Sequence, residues 1–312
     1  MPSTRVLACP ASLKGVLAAP EAASALAEGL RAWAEVDELP VADGGEGTLD
    51  VLYAATGGAW REAEVHDAFG RPRTARWLWH DGNAFVEAAE AIPLDPSRLD
   101  AMHATSRGLG ELVASVGNPT LLFVFLGGTA NVDGGAGLRE VVKDLPAPTV
   151  VMCDVDVPLV DAARVFAPQK GATDDQVRQL EERLLGLVEL REVADLSGAG
   201  AAGGLGAAFA ALGAALYPTA EPVLVLLAFD PSGYDLVVTG EGTVDATTTL
   251  GKAPGEVARR CRAAGVRCVV FGGRVVEPVK GVETIALSGD PSRAHEDLVE
   301  LGLRLGGLGA PG

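Results

Sequence analysis

The sequence predicts an α/β protein built from two α/β domains: a Rossmann-like parallel sheet, discontinuous along the chain, and an inserted domain with a mixed sheet. Three observations carry this prediction. Apolar runs of strand length are each followed by a Gly- and Asp-rich loop and then an Ala-rich amphipathic stretch, which is the βα unit of a parallel sheet. Residues 60 to 100 instead alternate polar and apolar side chains around the turn signals "FGRP" and "HDGN", the pattern of antiparallel hairpins. The 312 residues suffice for two modest domains, each with its own core. The expected division gives 1–58, 103–135 and 225–312 to the Rossmann-like domain, and 59–102 with 136–224 to the inserted one. The cleft between two such domains is the favoured place for a ligand, and the active site is expected there.

Taken in order, "RVLAC" reads as the first strand, "PASLKG" as the loop after it, and "PEAASALAEGLRAWA" as a helix in which Pro20 suits the first turn. The acidic, glycine-rich "VADGGEGT" (41–48) separates two helix-like runs, and the hairpins follow. "LLFVFLGG" is the most strand-like run and leads through "TANVDGGAG" into the helix "LREVV". "TVVMCDV" is a strand, and "TDDQVRQLEERLLGLVEL" is a charged helix opened by Thr173. "LSGAGAAGGLGAAFAALGAAL" has the composition of a linker, but Phe209, Leu212 and Leu216 are anchors that no solvated linker needs. It reads as a Gly-rich turn entering a closely packed helix. "PVLVLLAF" (222–229) reads as a buried strand or helix segment. The strand "YDLVVTGEG", the loop and helix "TVDATTTLGKAPGEVARRCRAAG", and the strand "VRCVVFGGRV" complete the alternation.

Composition limits the partners. The formal net charge is −17 with only 25 Lys and Arg, which is no footprint for nucleic acid or an anionic membrane surface. No apolar run is long enough to span a bilayer and the N-terminus lacks a signal-like apolar segment, so the expectation is a cytoplasmic protein, monomer or homodimer. Cys9, Cys153, Cys261 and Cys268 lack metal or redox spacing and are expected as reduced core residues. An anionic substrate must therefore be met locally, by a few cations, by backbone N–H groups, or by a divalent metal on carboxylates.

Five stretches concentrate polar residues that an α/β core does not need. "PASLKG" places Ser12 and Lys14 just after a strand, where a Lys can pair with phosphate or carboxylate. "VADGGEGT" offers Asp43 and Glu46 on a backbone freed by Gly44, Gly45 and Gly47. "GGTANVDGGAG" (127–137) follows a strand and precedes a helix, the arrangement of a phosphate cradle, although it is neither a Walker A loop nor a clean G-x-G-x-x-G. "CDVDVPLVDAARVFAPQKGA" carries Asp154 and Asp156 at a strand end, then Arg164, Gln169 and Lys170, acids near bases suited to deprotonating a hydroxyl and holding an anion. "TGEGTVDATTTLGK" presents Glu241 and Asp245 on another bare loop, suited to Mg²⁺ held through few ligands and several waters. Together with Arg107, these describe metal-assisted phosphoryl transfer to a small acid.

The same segments, in this order, resemble the class I glycerate kinases of bacteria. The likeness runs from residue 5 to about 275 and is carried by "PVADGGEGT", "TSRGLGEL", the Gly-Gly/Asp-Gly-Gly loop, "CDV" with "PL", "FAPQKGA", "GAGAAGGLGAA" and "VTGEGTVD" with "GKAP". The resemblance implies phosphorylation of D-glycerate, generally to 2-phosphoglycerate, with ATP and Mg²⁺. By matching position it implies Asp154 as base or orienter, with Lys14, Ser12, Arg107 and Lys170 on the glycerate carboxylate and the transferred phosphoryl group. Gly44, Gly45, Gly127, Gly128, Thr129, Asp133, Gly134 and Gly135 fall on the nucleotide, and Asp43, Glu46, Glu241 and Asp245 become the metal or water ligands. The chain departs from the family pattern at Ala11, where the family has Asp, at Leu13, where it has an aromatic residue, and at Thr129, Asn131 and Val132 in the Gly-rich loop. These departures keep two other readings open: a kinase for another small hydroxy acid or sugar acid, and a ligand-binding homologue with weakened turnover.

Overall fold

A computed structural model of the chain describes residues 4–153, 155–218 and 220–307. Its strands are β1 (Arg5–Ala8), β2 (Glu35–Glu38), β3 (Ala59–His66), β4 (Pro72–His80), β5 (Asn83–Glu87), β6 (Leu122–Phe125), β7 (Thr149–Met152), β8 (Ala215–Tyr217), β9 (Leu236–Val244), β10 (Arg267–Val275) and β11 (Glu283–Ala286). Its α-helices are α1 (Ala19–Leu30), α2 (Thr48–Thr56), α3 (Ala88–Ala91), α4 (Arg107–Ser115), α5 (Ala136–Val141), α6 (Ala162–Phe166), α7 (Asp174–Leu185), α8 (Ala201–Ala211), α9 (Glu221–Leu226), α10 (Ala253–Ala264) and α11 (Ala294–Gly307). The described residues fall into two compact units, one of 4–43, 50–55 and 220–307 and one of 44–49 and 56–218.

The first unit holds a five-stranded, all-parallel sheet in the order β11-β10-β9-β1-β2. Alternation along its strands splits the core between two faces. Val6, Ala8, Val238, Val269 and Phe271 pack with Leu26 and Leu30 of α1 and Leu298 and Leu301 of α11, whereas Val270 packs with Ala258 of α10 and with Val279. Helices α1 and α11 cross so closely that a Cβ at Gly29 would lie 2.1 Å from the Val299 carbonyl oxygen. "PVLVLLAF" resolves to the short helix α9, with Val223 and Leu224 buried.

The second unit holds a six-stranded mixed sheet, β3-β4-β5-β6-β7-β8, antiparallel from β3 to β5 and parallel from β5 onward. The two hairpins form at the predicted turns. Asp67 accepts from the N–H groups of Phe69 (2.8 Å) and Arg71 (2.9 Å), and Asp81 and Gly82 take φ of 48° and 77°, as a two-residue turn of the primed kind requires. Thr173 opens α7 with a reciprocal cap shared with Gln176. The Gly/Ala segment is core: α8 contributes Leu205 and Phe209, and it is broken by positive φ at Ala202, Gly203 and Gly204.

The sheet partners correct the expected division at 103–135. Strand β6 pairs with β5 and β7, at the centre of the second sheet. A four-residue run buried on both faces reads the same in any parallel sheet, and its neighbours are chosen by long-range packing that periodicity does not encode. Cys9, Cys153 and Cys261 are buried thiols, and Cys268 is partly buried. Among the described residues, no helix is long and apolar enough to cross a membrane.

Candidate functional site at the strand ends

In the first unit the polar loops converge because the carboxyl ends of neighbouring parallel strands must. The chain past β1 stays in register with β9, the N–H groups of Cys9 and Ala11 donating to the carbonyls of Val238 (2.8 Å) and Gly240 (2.9 Å). Past β2 it stays beside β1, Val41 N–H donating to Pro10 O at 2.9 Å. "PASLKG", "VAD" and "TGEG" are thereby laid side by side. Ser12 is half-buried, and Lys14 is exposed on a tight turn closed by Leu13 and Leu17. Asp43 is half-buried and lies in the fields of Lys252 and Lys14. Burial pushes its carboxyl above the usual aspartate range, against the opposing pull of Lys252, its own backbone N–H and Lys14. Glu241 accepts from Thr248 Oγ1 at 2.7 Å and from Lys252 Nζ at 3.3 Å. Its carboxyl is also raised, by burial first and by the Asp43 charge in addition, while Thr248 and Lys252 oppose the rise. Asp245 is spent locally, capping the 3₁₀ turn at Ala246–Thr249 by accepting from Thr247 N (2.8 Å) and Oγ1 (2.5 Å), which holds its carboxyl low.

In the second unit the turn 44–49 rests on the carboxyl ends of β5, β6 and β7. Gly44 takes φ +87°, and a Cβ there would come within 2.8 Å of Met152 Cβ, so only glycine fits. Gly45 lies against Gly127, whose N–H reaches Gly44 O at 3.5 Å. Glu46 is exposed, its Cβ beside Gly128. The turn is held by a residue the sequence reading leaves unassigned. Glu87, buried at the end of β5, accepts from Gly47 N–H at 2.9 Å with Oε1 and from Leu49 N–H at 3.2 Å with Oε2, capping α2 from a distant strand. An acid closing the apolar run "NAFVE" is the only signal that marks it.

The loop 127–137 is braced more than it is open. Asp133 accepts five hydrogen bonds: from Ser106 N and Oγ (both 2.8 Å), Asn131 Nδ2 and Gly135 N (both 3.0 Å) and Gly137 N (3.1 Å), tying the starts of α4 and α5 together. The spaces that side chains at Gly134 and Gly135 would need are filled by Leu184 and Leu187 and by Ala208, so these two glycines serve close packing against α7 and α8. Gly128 and Thr129 sit at the strand end proper. Thr129 Oγ1 and Asn131 Oδ1 are buried with no hydrogen-bond partner among the described residues.

Two expected substrate cations have other partners. Arg107 forms ion pairs with Glu111 and Glu140, both at 3.1 Å, on the surface of α4 and α5. Lys170 is 3 % exposed, donates from Nζ to Asn131 O at 2.7 Å and lies over the Phe166 ring, bracing the Gly-rich loop from below. Glu111 and Phe166 are each four residues from the cation they meet, whereas Glu140 and Asn131 are brought in from 33 and 39 positions away. Lys252, the last residue of the "TGEGTVDATTTLGK" stretch, is the cation that lies against Glu241. Asp154 lies outside the described residues. Among the described residues, no three or more His, Cys, Asp and Glu side chains gather as a metal cage. Asp43 and Glu241, the first close enough for its charge to raise the second, would nonetheless suit Mg²⁺, which takes one or two hard carboxylate oxygens and completes its shell with waters and phosphate.

Comparison with known proteins adds an independent line. The profile of the glycerate kinase family matches residues 6–145 and 138–289. The chain is 36 % identical over 304 residues to the glycerate 2-kinase of Escherichia coli K12, covering 80 % of each. It is 33 % identical over 327 residues to the glycerate kinase of Bacillus subtilis 168, covering 87 % of this chain and 85 % of that one. A crystal structure from Salmonella typhimurium LT2, provisionally called glycerate kinase 2, superposes with a TM-score of 0.80 at 29 % identity over 98 % of both chains.

Proposed function

Because this chain belongs to the glycerate kinase family, we propose that it is an ATP- and Mg²⁺-dependent enzyme that phosphorylates D-glycerate to 2-phosphoglycerate. That it is a glycerate kinase follows from the family; ATP, Mg²⁺ and the 2-phosphoglycerate product are proposed for it. The observation that carries them is the convergence of Lys14, Asp43, Glu241 and Lys252 on the strand ends of the first sheet. The cluster sets hard carboxylate oxygens beside ammonium groups. Such a cluster complements a divalent cation bound to a phosphate chain.

In the transfer, the 2-hydroxyl oxygen of glycerate bonds to the γ-phosphorus of ATP as the bond to the β,γ-bridging oxygen breaks. ADP leaves, and the hydroxyl proton passes to a base, for which Asp154 is the candidate. Ser12 and Lys14 would hold the glycerate carboxylate, one as a hydroxyl donor and the other as a charge. Gly44, Gly45, Gly127 and Gly128 would let backbone approach the nucleotide, with Thr129 as a hydroxyl at the same strand end. Asp43 and Glu241 would hold Mg²⁺, with Glu46 and Asp245 as outer candidates through water. The ion supplies neutralisation of charge on the phosphate oxygens.

The test is an ADP-release assay with D-glycerate against a panel of hydroxy acids and sugar acids, with the product identified by phosphorus–proton coupling in NMR. D-Glycerate is expected to give the highest kcat/KM, and the phosphorus is expected to couple to the single proton on C2. Coupling to the two C3 protons would overturn the product assignment. A better acid elsewhere in the panel would favour the other-substrate reading, for which the apolar Ala11, Leu13 and Val132 are the residues to examine; all three are buried. No ADP with any acid despite nucleotide binding would favour the weakened homologue.

A further inference from the structure

We infer that Lys252 is the cation that meets the terminal phosphoryl group of the nucleotide, held in place by Glu241. The inference rests on the ATP-dependent reading above and assigns within it a task that the sequence distributes among Lys14, Arg107 and Lys170.

Geometry leads there, and two of the three other cations are engaged elsewhere. Arg107 is committed to two surface carboxylates, and Lys170 is buried beneath the Gly-rich loop against Asn131. Lys252 differs from both. It stands at the N-cap of α10 with extended backbone (φ −69°, ψ 156°), so its side chain leaves the helix axis and returns toward β9. Its side chain is 29 % exposed, and it is partnered by Glu241, itself 13 % exposed. The 3.3 Å separation is longer than the ~2.7–2.9 Å of a tight ammonium–carboxylate bond. An ammonium group has three N–H donors, and among the described residues its one hydrogen bond is to Glu241. Two donors on a half-buried cation are therefore left for a ligand. Glu241 is fixed in turn by Thr248, whose Oγ1 also accepts from Asp245 N–H at 3.1 Å. The sequence spacing Glu241–Asp245–Thr248–Lys252 thus becomes one chain of contacts that aims the ammonium group. Gly242 leaves the strand end bare beside the backbone of Leu13 and Lys14, whereas Gly240 serves close packing against Phe271.

The test separates terminal-phosphate contact from scaffold. Lys252→Met is expected to lower turnover about 100-fold or more, the scale on which cationic phosphoryl contacts act. It should weaken binding of a non-hydrolysable ATP analogue with Mg²⁺ at least about tenfold more than binding of ADP, since only the triphosphate reaches the ammonium group. Lys252→Arg should recover part of the triphosphate preference. Turnover within about threefold of the parent, or equal losses for triphosphate and diphosphate, would overturn the inference. Should Lys252→Met fold poorly, amine-reactive footprinting of the parent protein reads the same contact. The ATP analogue is expected to protect Lys252 several-fold more than ADP does, with Lys143 and Lys280 as unprotected references, and equal protection would count against it. A parent protein that makes ADP while Lys252 proves indifferent defeats this inference alone. A parent that neither binds adenine nucleotide nor phosphorylates glycerate defeats the functional reading as well.

Discussion

Asp43 carries a cost in the apo protein that its position explains. Its carboxyl is crowded by protein, and Lys252 and Lys14 only partly offset the penalty of keeping it charged. The folded-state value therefore lies above the ordinary 3.8, and the folded protein binds this proton more tightly than the unfolded chain does. The group's penalty is fully present at neutral pH and is relieved as pH falls through the folded value toward the unfolded one. With divalent cations chelated, Asp43→Asn is expected to melt at a higher temperature than the parent at pH 7. The gain should shrink toward zero as the pH drops below the ordinary aspartate range, where the parent's carboxyl is already neutral. Thermal scans across pH check this, and a variant less stable than the parent at pH 7 would contradict it. The same residue should lose activity, a trade of stability for function that is common where a site must hold charge out of water. Other residue roles were less visible from sequence. Asp133 stands out as an acid in a glycine-rich loop, but its main partner Ser106 is 27 positions away, so its bracing role follows from the fold.

At the scale of elements, the strand–loop–helix alternation was legible because it is written in periodicity and turn chemistry. Thr173 and Gln176 cap α7, Asp67 shapes one hairpin turn, and Asp81-Gly82 closes the next. The start of α2 is different: its cap comes from Glu87, about forty residues along the chain. Glu87→Gln replaces one acceptor oxygen with an amide that cannot accept. It is expected to cost about 1–2 kcal/mol in urea denaturation and to speed hydrogen exchange at the Gly47 and Leu49 amides. Unchanged exchange at both amides would show that the turn holds without the carboxylate.

At the scale of the whole molecule, the described residues form two compact units, each gathered from separated stretches of sequence and each with buried clusters of its own. Trp33 belongs to the first unit, where its Nε1–H donates to Gly302 O at 2.9 Å, and Trp60, Trp77 and Trp79 belong to the second. In the variant Trp33→Phe, fluorescence reports the second unit alone. Its urea transition is expected to differ in midpoint from that seen by far-UV circular dichroism, which reports both units. Coincident transitions would show that the two unfold as one cooperative block.

The α/β class, the places of most strands, helices and turns, the family, and the loops that carry the polar residues can all be read from the order of the residues. These rest on local periodicity, on the stereochemistry of Gly and Asp in turns, and on motif order, all of which are properties of neighbouring residues. Long-range pairing and packing are needed to place β6 in the second sheet, to cap α2 with Glu87 rather than a local residue, and to fix which cations are available. Arg107, Lys170 and Lys252 look alike along the chain. What separates them is the company each keeps in space: Glu111 and Glu140, Asn131 and Phe166, or Glu241 at the edge of solvent. A charged side chain's use is set by desolvation and by the partners it is brought against, and both are fixed when distant strands pair in register.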